Sequence, residues 1–211
     1  MRSFRHLTVK YIIDRVAVFY YEKQYPDHPW LTRSANEILD SYLTSSDIGL
    51  EFGSGRSTLW FSKRIAHLTT VEHDKTWGEI VARMLEEESI RNVDYNLFPE
   101  DIINNEGKNS AYVGVADKFD DGSLDFCLID GSHRGFCALR CIEKIRPGGI
   151  LVIDNVNWFL CSDSRSPNSR SFIDGPDGSV WEEVNNIISD WKRIWTSNGV
   201  SDTALFFKPH S

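Results

Sequence analysis

Apolar positions along the chain recur with a period that switches between that of a helix and that of a strand. Val9, Ile12, Ile13, Val16 and Tyr20 lie three and four residues apart, which predicts an amphipathic helix over about residues 5–23. Tyr25-Pro26-Asp27-His28-Pro29 breaks it. A second helix follows Trp30-Leu31, capped by Thr32 or by Ser34, which forms a capping box with Glu37. Gly49 to Phe52 reads as a strand, and Leu59 to Ile65 continue a helix after it. His67 to Val71 is a second strand, ending at Glu72; Trp77, Ile80, Val81, Met84 and Leu85 mark the next helix. Val93, Tyr95 and Leu97 alternate as a third strand. Asn104 to Asp121 is polar and reads as a short helix mixed with loop.

Leu124 to Ile129 is a nearly continuous apolar run, the pattern of a central parallel strand. A helix through Phe136, Ala138, Cys141, Ile142 and Ile145 is ended by Pro147-Gly148-Gly149. Ile150 to Ile153 then forms a fifth strand, ending at Asp154-Asn155. Residues 161–178 read as a long loop rich in Ser, Asp, Pro and Gly, and such loops inside compact domains are often functional. Ser179 and Glu182 form a capping box ahead of Trp181, Val184, Ile188 and Trp191. Lys192 to Thr196 and Thr203 to Lys208 read as two strands joined around Asn198-Gly199. Five strand–helix alternations and a closing strand pair predict an α/β fold: a doubly wound, mostly parallel sheet flanked by helices, with a C-terminal antiparallel pair.

Composition narrows the picture. With 211 residues, an apolar share of 41% and 7 tryptophans, the chain is long enough for one compact unit. It divides into an N-terminal helical cap, residues 1–45, and a ligand-binding domain, residues 46–211. The cap covers a sheet edge or serves as a substrate lid or a homodimer surface. A net charge of −8 argues against nucleic acid as a partner. Lys10, Asp14 and Arg15 interrupt the N-terminal apolar stretch, so it reads as neither a signal segment nor a membrane span. Cys127, Cys137, Cys141 and Cys161 form no CxxC pair and read as buried thiols in a reducing, cytoplasmic setting.

Candidate chemistry gathers after the strands, because ligands of such sheets bind beyond the carboxyl ends, near the point where the strand order reverses. Glu51-Phe52-Gly53-Ser54-Gly55-Arg56-Ser57 is a strand, a tight turn and a helix start. Arg56-Ser57 follows Gly55 where a Walker loop needs Lys-Ser/Thr, and Thr58 stands where a dinucleotide fingerprint needs a third glycine.

This turn resembles the Glu-x-Gly-x-Gly turn of class I S-adenosylmethionine-dependent methyltransferases, and the likeness runs from here to the end of the chain, implying a Rossmann-like sheet. The resemblance implies S-adenosylmethionine as cofactor, cradled by Gly53, Ser54, Gly55 and Ser57 over Glu51. Glu72 would accept the ribose hydroxyls, beside His73, and Glu100 would lie near adenine. Asp130-Gly131-Ser132-His133 and Asp154-Asn155 complete the rim. Carboxylates with an amide oxygen suit Mg²⁺ or another hard divalent cation. The set is similar to the metal-dependent small-molecule O-methyltransferases, of catechols and of macrolide sugars. That likeness implies a metal on Asp130, Asp154 and Asn155, with His133 and Asp130 catalytic. It also implies a small-molecule or sugar hydroxyl as acceptor. Gly131 stands where the catechol enzymes place a larger residue, and His133 where they place a lysine. Other readings stay open: Asp130 near the cofactor amine; Asp130 and Asp154 as helix caps with His133 in a hydrogen bond; and, for the whole chain, a metal-independent methyltransferase on another acceptor or a non-catalytic S-adenosylmethionine-binding module. Trp158 and Phe159 would wall the acceptor side, and Arg165 and Arg170 are either solvated or meet an anionic group.

Overall fold

The computed structural model describes residues 8–99 and 107–210. Seven strands form one sheet: β1 (Ile48–Phe52), β2 (His67–Glu72), β3 (Val93–Leu97), β4 (Leu124–Ile129), β5 (Ile145–Asp154), β6 (Lys192–Ser197) and β7 (Asp202–Phe207). Their order is β3-β2-β1-β4-β5-β7-β6. Strands β1 to β5 pair in parallel, while β7 is antiparallel to both β5 and β6. The order reverses between β1 and β4, which sets the carboxyl ends of β2, β1, β4 and β5 side by side around the switch point. The doubly wound sheet and its closing antiparallel pair are therefore as the apolar pattern predicts.

The central strands are apolar on both faces because both faces are covered. Cys127, Ile129, Leu151 and Ile153 point to one layer, with Cys137, Ala138 and Cys141 of α6 (Arg134–Cys141) and Trp181, Val184 and Ile188 of α7 (Gly178–Ile188). Their neighbours Phe126, Leu128, Ile150 and Val152 point to the other. That second layer holds Ala35 and Leu39 of α2 (Arg33–Tyr42) with Trp60 and Phe61 of α3 (Arg56–Ser62). Two more helices are α4 (Lys75–Glu87) and the short α5 (Ala111–Gly114), whose Tyr112 is fully buried under the rim.

The first helix, α1 (Val9–Gln24), buries no residue. It sets Tyr11, Asp14, Val18 and Tyr21 against the body and leaves Val9, Ile12, Ile13, Val16, Phe19 and Tyr20 exposed. The periodic face that predicts the helix is thus not the face that contacts the domain. Among the described residues, no helix is long and apolar enough to cross a membrane.

Three local expectations are corrected. Helix α6 stops at Cys141, and β5 already begins at Ile145, within the stretch read as helix. The β4–β5 register shifts between Leu124 and Phe126, and Gly148 turns at φ 77°, so Pro147 sits at an irregularity where its missing N–H is tolerated. Of the two candidate caps of α2, Thr32 is the one used, its hydroxyl accepting the Ala35 N–H at 3.3 Å, so Ser34 and Glu37 form no capping box. Helix α7 starts after Asp177 without a side-chain cap bond, so Ser179 and Glu182 form no capping box.

Candidate active site

The glycine turn leaves β1 at Phe52 and enters α3 at Arg56. Gly53 has φ 97° and lies against the chain after β4, where an added Cβ would stand 2.7 Å from the Gly131 nitrogen. A Cβ at Gly131 would in turn run into the Tyr112 hydroxyl and the Phe52–Gly53 main chain. Close approach of the β1 and β4 ends therefore explains the small residue at position 131. Over the outside of the turn, the Trp77 indole donates to the Ser54 carbonyl at 2.7 Å and stacks on Trp30 at 6.2 Å. The Arg56 guanidinium lies 4.8 Å from the Trp30 ring centre, so it belongs to this aromatic cover.

Glu51 is fully buried beneath the turn. Its Oε2 accepts the hydroxyls of Thr58 at 2.6 Å and Thr70 at 2.7 Å. Its Oε1 is buried with no hydrogen-bond partner among the described residues. Burial pushes this carboxyl up to about 7, against the hydroxyls that favour its charge. A buried carboxylate oxygen without a donor is costly unless a ligand supplies one.

Glu72 ends β2 and is also buried, but every oxygen has donors. Oε2 accepts the Ser54 N–H and hydroxyl, each at 3.0 Å. Oε1 accepts the N–H groups of His73 at 2.7 Å and Asp74 at 2.8 Å, and the His73 ring nitrogen Nδ1 lies 3.0 Å away. Burial alone would raise this carboxyl. The donors from His73 and Asp74 outweigh it and hold the group below its ordinary value. Glu72 thereby ties the glycine turn to β2. Asp74 caps α4 through the Trp77 N–H at 2.8 Å, as expected.

On the other half of the rim, Ile129 pairs with Ile153, so Asp130 and Asp154 leave adjacent strands side by side. The expected oxygen set is there, and the Arg134 guanidinium stands among it. Arg134 forms an ion pair with Asp130 Oδ1 at 2.9 Å and donates to Asn155 Oδ1 at 3.2 Å. Asp154 is buried, with Oδ1 accepting the Thr203 hydroxyl at 2.6 Å. Burial first, and then the Asp130 charge, push the Asp154 carboxyl up to about 8. Among the described residues, no group of three or more His, Cys, Asp or Glu is placed to hold a metal ion. Metal ligation by Asp130, Asp154 and Asn155 gains no support from this arrangement, in which Arg134 engages the Asp130 and Asn155 side-chain oxygens.

His133 and Asn155 both adopt left-handed backbone, at φ 47° and 49°, where each chain turns off its strand. His133 stands at the start of α6, 6.2 Å ring to ring from Phe136. It opens onto a groove of about 390 Å³ walled by Phe136, Phe159, Val180 and Trp181. Phe159 stacks on Trp181 at 4.6 Å, whereas Trp158 is largely exposed. Arg170 is held by Asp177 at 2.9 Å and the Gly175 carbonyl at 2.7 Å, so it braces its own loop. Arg165 is exposed. Ser57 is buried in the first turn of α3. Glu100 lies outside the described residues.

The sequence reading missed Arg134, Thr58, Thr70, Tyr112 and Thr203 as parts of the rim. Only Arg134 carries a local signal, its four-residue spacing from Asp130 at a helix start.

A glycine turn and carboxylates at the switch point of a 3-2-1-4-5-7-6 sheet define a class I methyltransferase, an enzyme dependent on S-adenosylmethionine. Residues 50–156, about half of the chain, match the family model described as a methyltransferase domain, and the chain belongs to that family. Solved structures share the fold at low identity. One is a putative methyltransferase, SMU.1697c of Streptococcus mutans, solved with SAH (TM-score 0.55, 11% identity, 83% of this chain and 96% of that one). Others are a methyltransferase-like protein of Silicibacter pomeroyi (0.57, 19%, 87% and 91%) and a methyltransferase of Geobacter sulfurreducens (0.54, 12%, 93% and 89%). No curated protein matches the chain.

Proposed function

We propose that the protein moves a methyl group from S-adenosylmethionine to a hydroxyl oxygen of a small molecule or sugar, with His133 as general base. When bound, S-adenosylmethionine supplies a methyl carbon made electrophilic by a sulfonium. Gly53, Ser54, Gly55 and Ser57 would hold its methionyl part over Glu51, whose partnerless Oε1 suits a cationic amino group. Glu72 would take the ribose hydroxyls in exchange for the Ser54 hydroxyl, with His73 beside it. The S. mutans neighbour solved with SAH supports S-adenosylmethionine as the cofactor. Asp130 lies between the two halves of the rim, where it fixes the start of the acceptor side.

The observation that carries the acceptor half is His133 itself. Its backbone is locked in a left-handed turn at the rim, with an aromatic groove beside it. An imidazole there can take the hydroxyl proton as the oxygen attacks, and most of the remaining work is alignment. The test is S-adenosylhomocysteine formation across a panel of hydroxylated acceptors, with wild type and His133→Gln. The expected product is an O-methyl ether, formed about 10²–10⁴ times more slowly by the variant. Unchanged S-adenosylhomocysteine affinity in the variant accompanies it. Products methylated only on nitrogen or carbon, or an undiminished rate in His133→Gln, overturn the reading.

A further inference from the structure

Arg134 stands among the oxygens that a divalent cation would use, and each of its three side-chain nitrogens is engaged. Nε donates to the Gly131 carbonyl at 3.0 Å. Nη1 donates to the Asp154 carbonyl at 2.6 Å and to Asn155 Oδ1 at 3.2 Å. Nη2 donates to the Asp130 carbonyl at 2.8 Å and pairs with Asp130 Oδ1 at 2.9 Å. Five oxygens from the ends of β4 and β5 thus converge on one positive charge. Hard oxygen donors gathered in this way are what Mg²⁺ or Mn²⁺ would recruit.

We propose that Arg134 is a built-in cation that takes the place of the divalent metal, so this rim works without one. A metal and this guanidinium exclude each other: the ion needs the same lone pairs, and like charges a few ångströms apart repel strongly where water is scarce. Arg134 has little room to swing away, since its side chain is only 16% exposed. The two cations also differ in what they can do. A metal keeps open positions for two substrate oxygens, whereas this guanidinium turns all three nitrogens to the protein's own oxygens. Arg134 is therefore a positioning residue. It neutralises Asp130 and fixes the β4 and β5 ends, leaving the acceptor hydroxyl to His133. The acceptor then needs no neighbouring second hydroxyl for chelation. This consequence rests on the methyl-transfer reading; the exclusion of metal rests on the geometry alone.

Mn²⁺ serves as the probe, followed by its paramagnetic resonance signal, with S-adenosylhomocysteine calorimetry in parallel. Wild type is expected to show no saturable Mn²⁺ binding, and its S-adenosylhomocysteine affinity to be unchanged in excess EDTA. Arg134→Ala frees the oxygen set and is expected to bind Mn²⁺ at least about tenfold more tightly than wild type. Adding Asp130→Asn should abolish that gain. Arg134→Lys keeps the charge and should remain blind to Mn²⁺, which serves if the alanine variant fails to fold. Saturable Mn²⁺ binding by wild type that Asp154→Ala removes overturns the proposal, as does a folded Arg134→Ala that ignores Mn²⁺. Failure of S-adenosylhomocysteine to bind wild type would sink the methyltransferase assignment instead, leaving the Mn²⁺ arms to judge Arg134.

Discussion

The rim carries two pairs of acidic residues, and the protein stabilises them by different means. On the β1–β2 side, Glu51 and Glu72 are held by hydroxyls, main-chain N–H groups and, at Glu72, the His73 ring; among the described residues no Lys or Arg forms an ion pair with either, and Glu51 Oε1 has no hydrogen-bond partner. On the β4–β5 side, Asp130 has Arg134 against it, and the same guanidinium caps the neighbouring carbonyls. The first half leaves one buried carboxyl oxygen without a hydrogen-bond partner, whereas the second carries its own cation. Negative charge alone therefore does not mark a cation site; the number of donors still missing does.

Removing the internal cation should have the largest effect. Arg134→Ala leaves Asp130 partly desolvated beside Asp154 and strips donors from three carbonyls, which should cost about 3–5 kcal/mol of stability. Urea unfolding at neutral pH measures it, and a loss below about 1 kcal/mol would mean the ion pair is ornamental. The matching change on the other half is smaller. Glu72→Ala cuts the link between the glycine turn and β2 but abandons no opposite charge except that of His73 when protonated, so about 2–3 kcal/mol is expected. On the proposed reading it should also weaken S-adenosylhomocysteine binding, because that carboxylate holds Ser54 and would take the ribose hydroxyls. Equal costs in the two variants would break the contrast between the halves.

The two halves also differ in how far the sequence announces them. The cofactor half is local: Glu51, Gly53 and Gly55 lie within one turn, and Glu72 follows at the next strand end, so linear spacing implies their meeting. The strands themselves are readable because apolar runs such as 124–129 and 150–153 have few alternatives inside a parallel sheet. In the acceptor half, the adjacency of Asp130 and Asp154 follows from strand order and is also foreseeable. Its chemistry is not. An arginine at a helix start reads as solvated, and nothing in the linear pattern shows its guanidinium reaching back over two strand ends. The start of β5 fails for a related reason. Ile142 and Ile145 continue the helical period past Cys141, and only pairing with β4 through the bulge overrides it. Tyr112, buried under Gly131, sits in a polar stretch with no regular period at all.

The smallest expected effect concerns Glu51 and is a change of slope. Its carboxyl has an ordinary value of 4.5 and is raised to about 7 in the folded protein. Between those two values the folded state holds a proton that the unfolded chain has released. The stability tied to that proton is fully present below about 4.5 and is lost as pH rises through about 7. Asp154 acts in the same direction, from 3.8 to about 8. Glu51→Gln removes one of the two contributions, so the fall in stability between pH 5 and 7 should become shallower by at most about 1.4 kcal/mol per pH unit. Denaturant midpoints of wild type and variant across that window give the slope directly. Saturating S-adenosylhomocysteine should flatten the wild-type curve in the same way, because a cationic amino group at Oε1 favours the charged carboxylate. A wild-type slope that ignores the ligand would place the amino group elsewhere, and Glu51 Oε1 under the glycine turn would then need another donor.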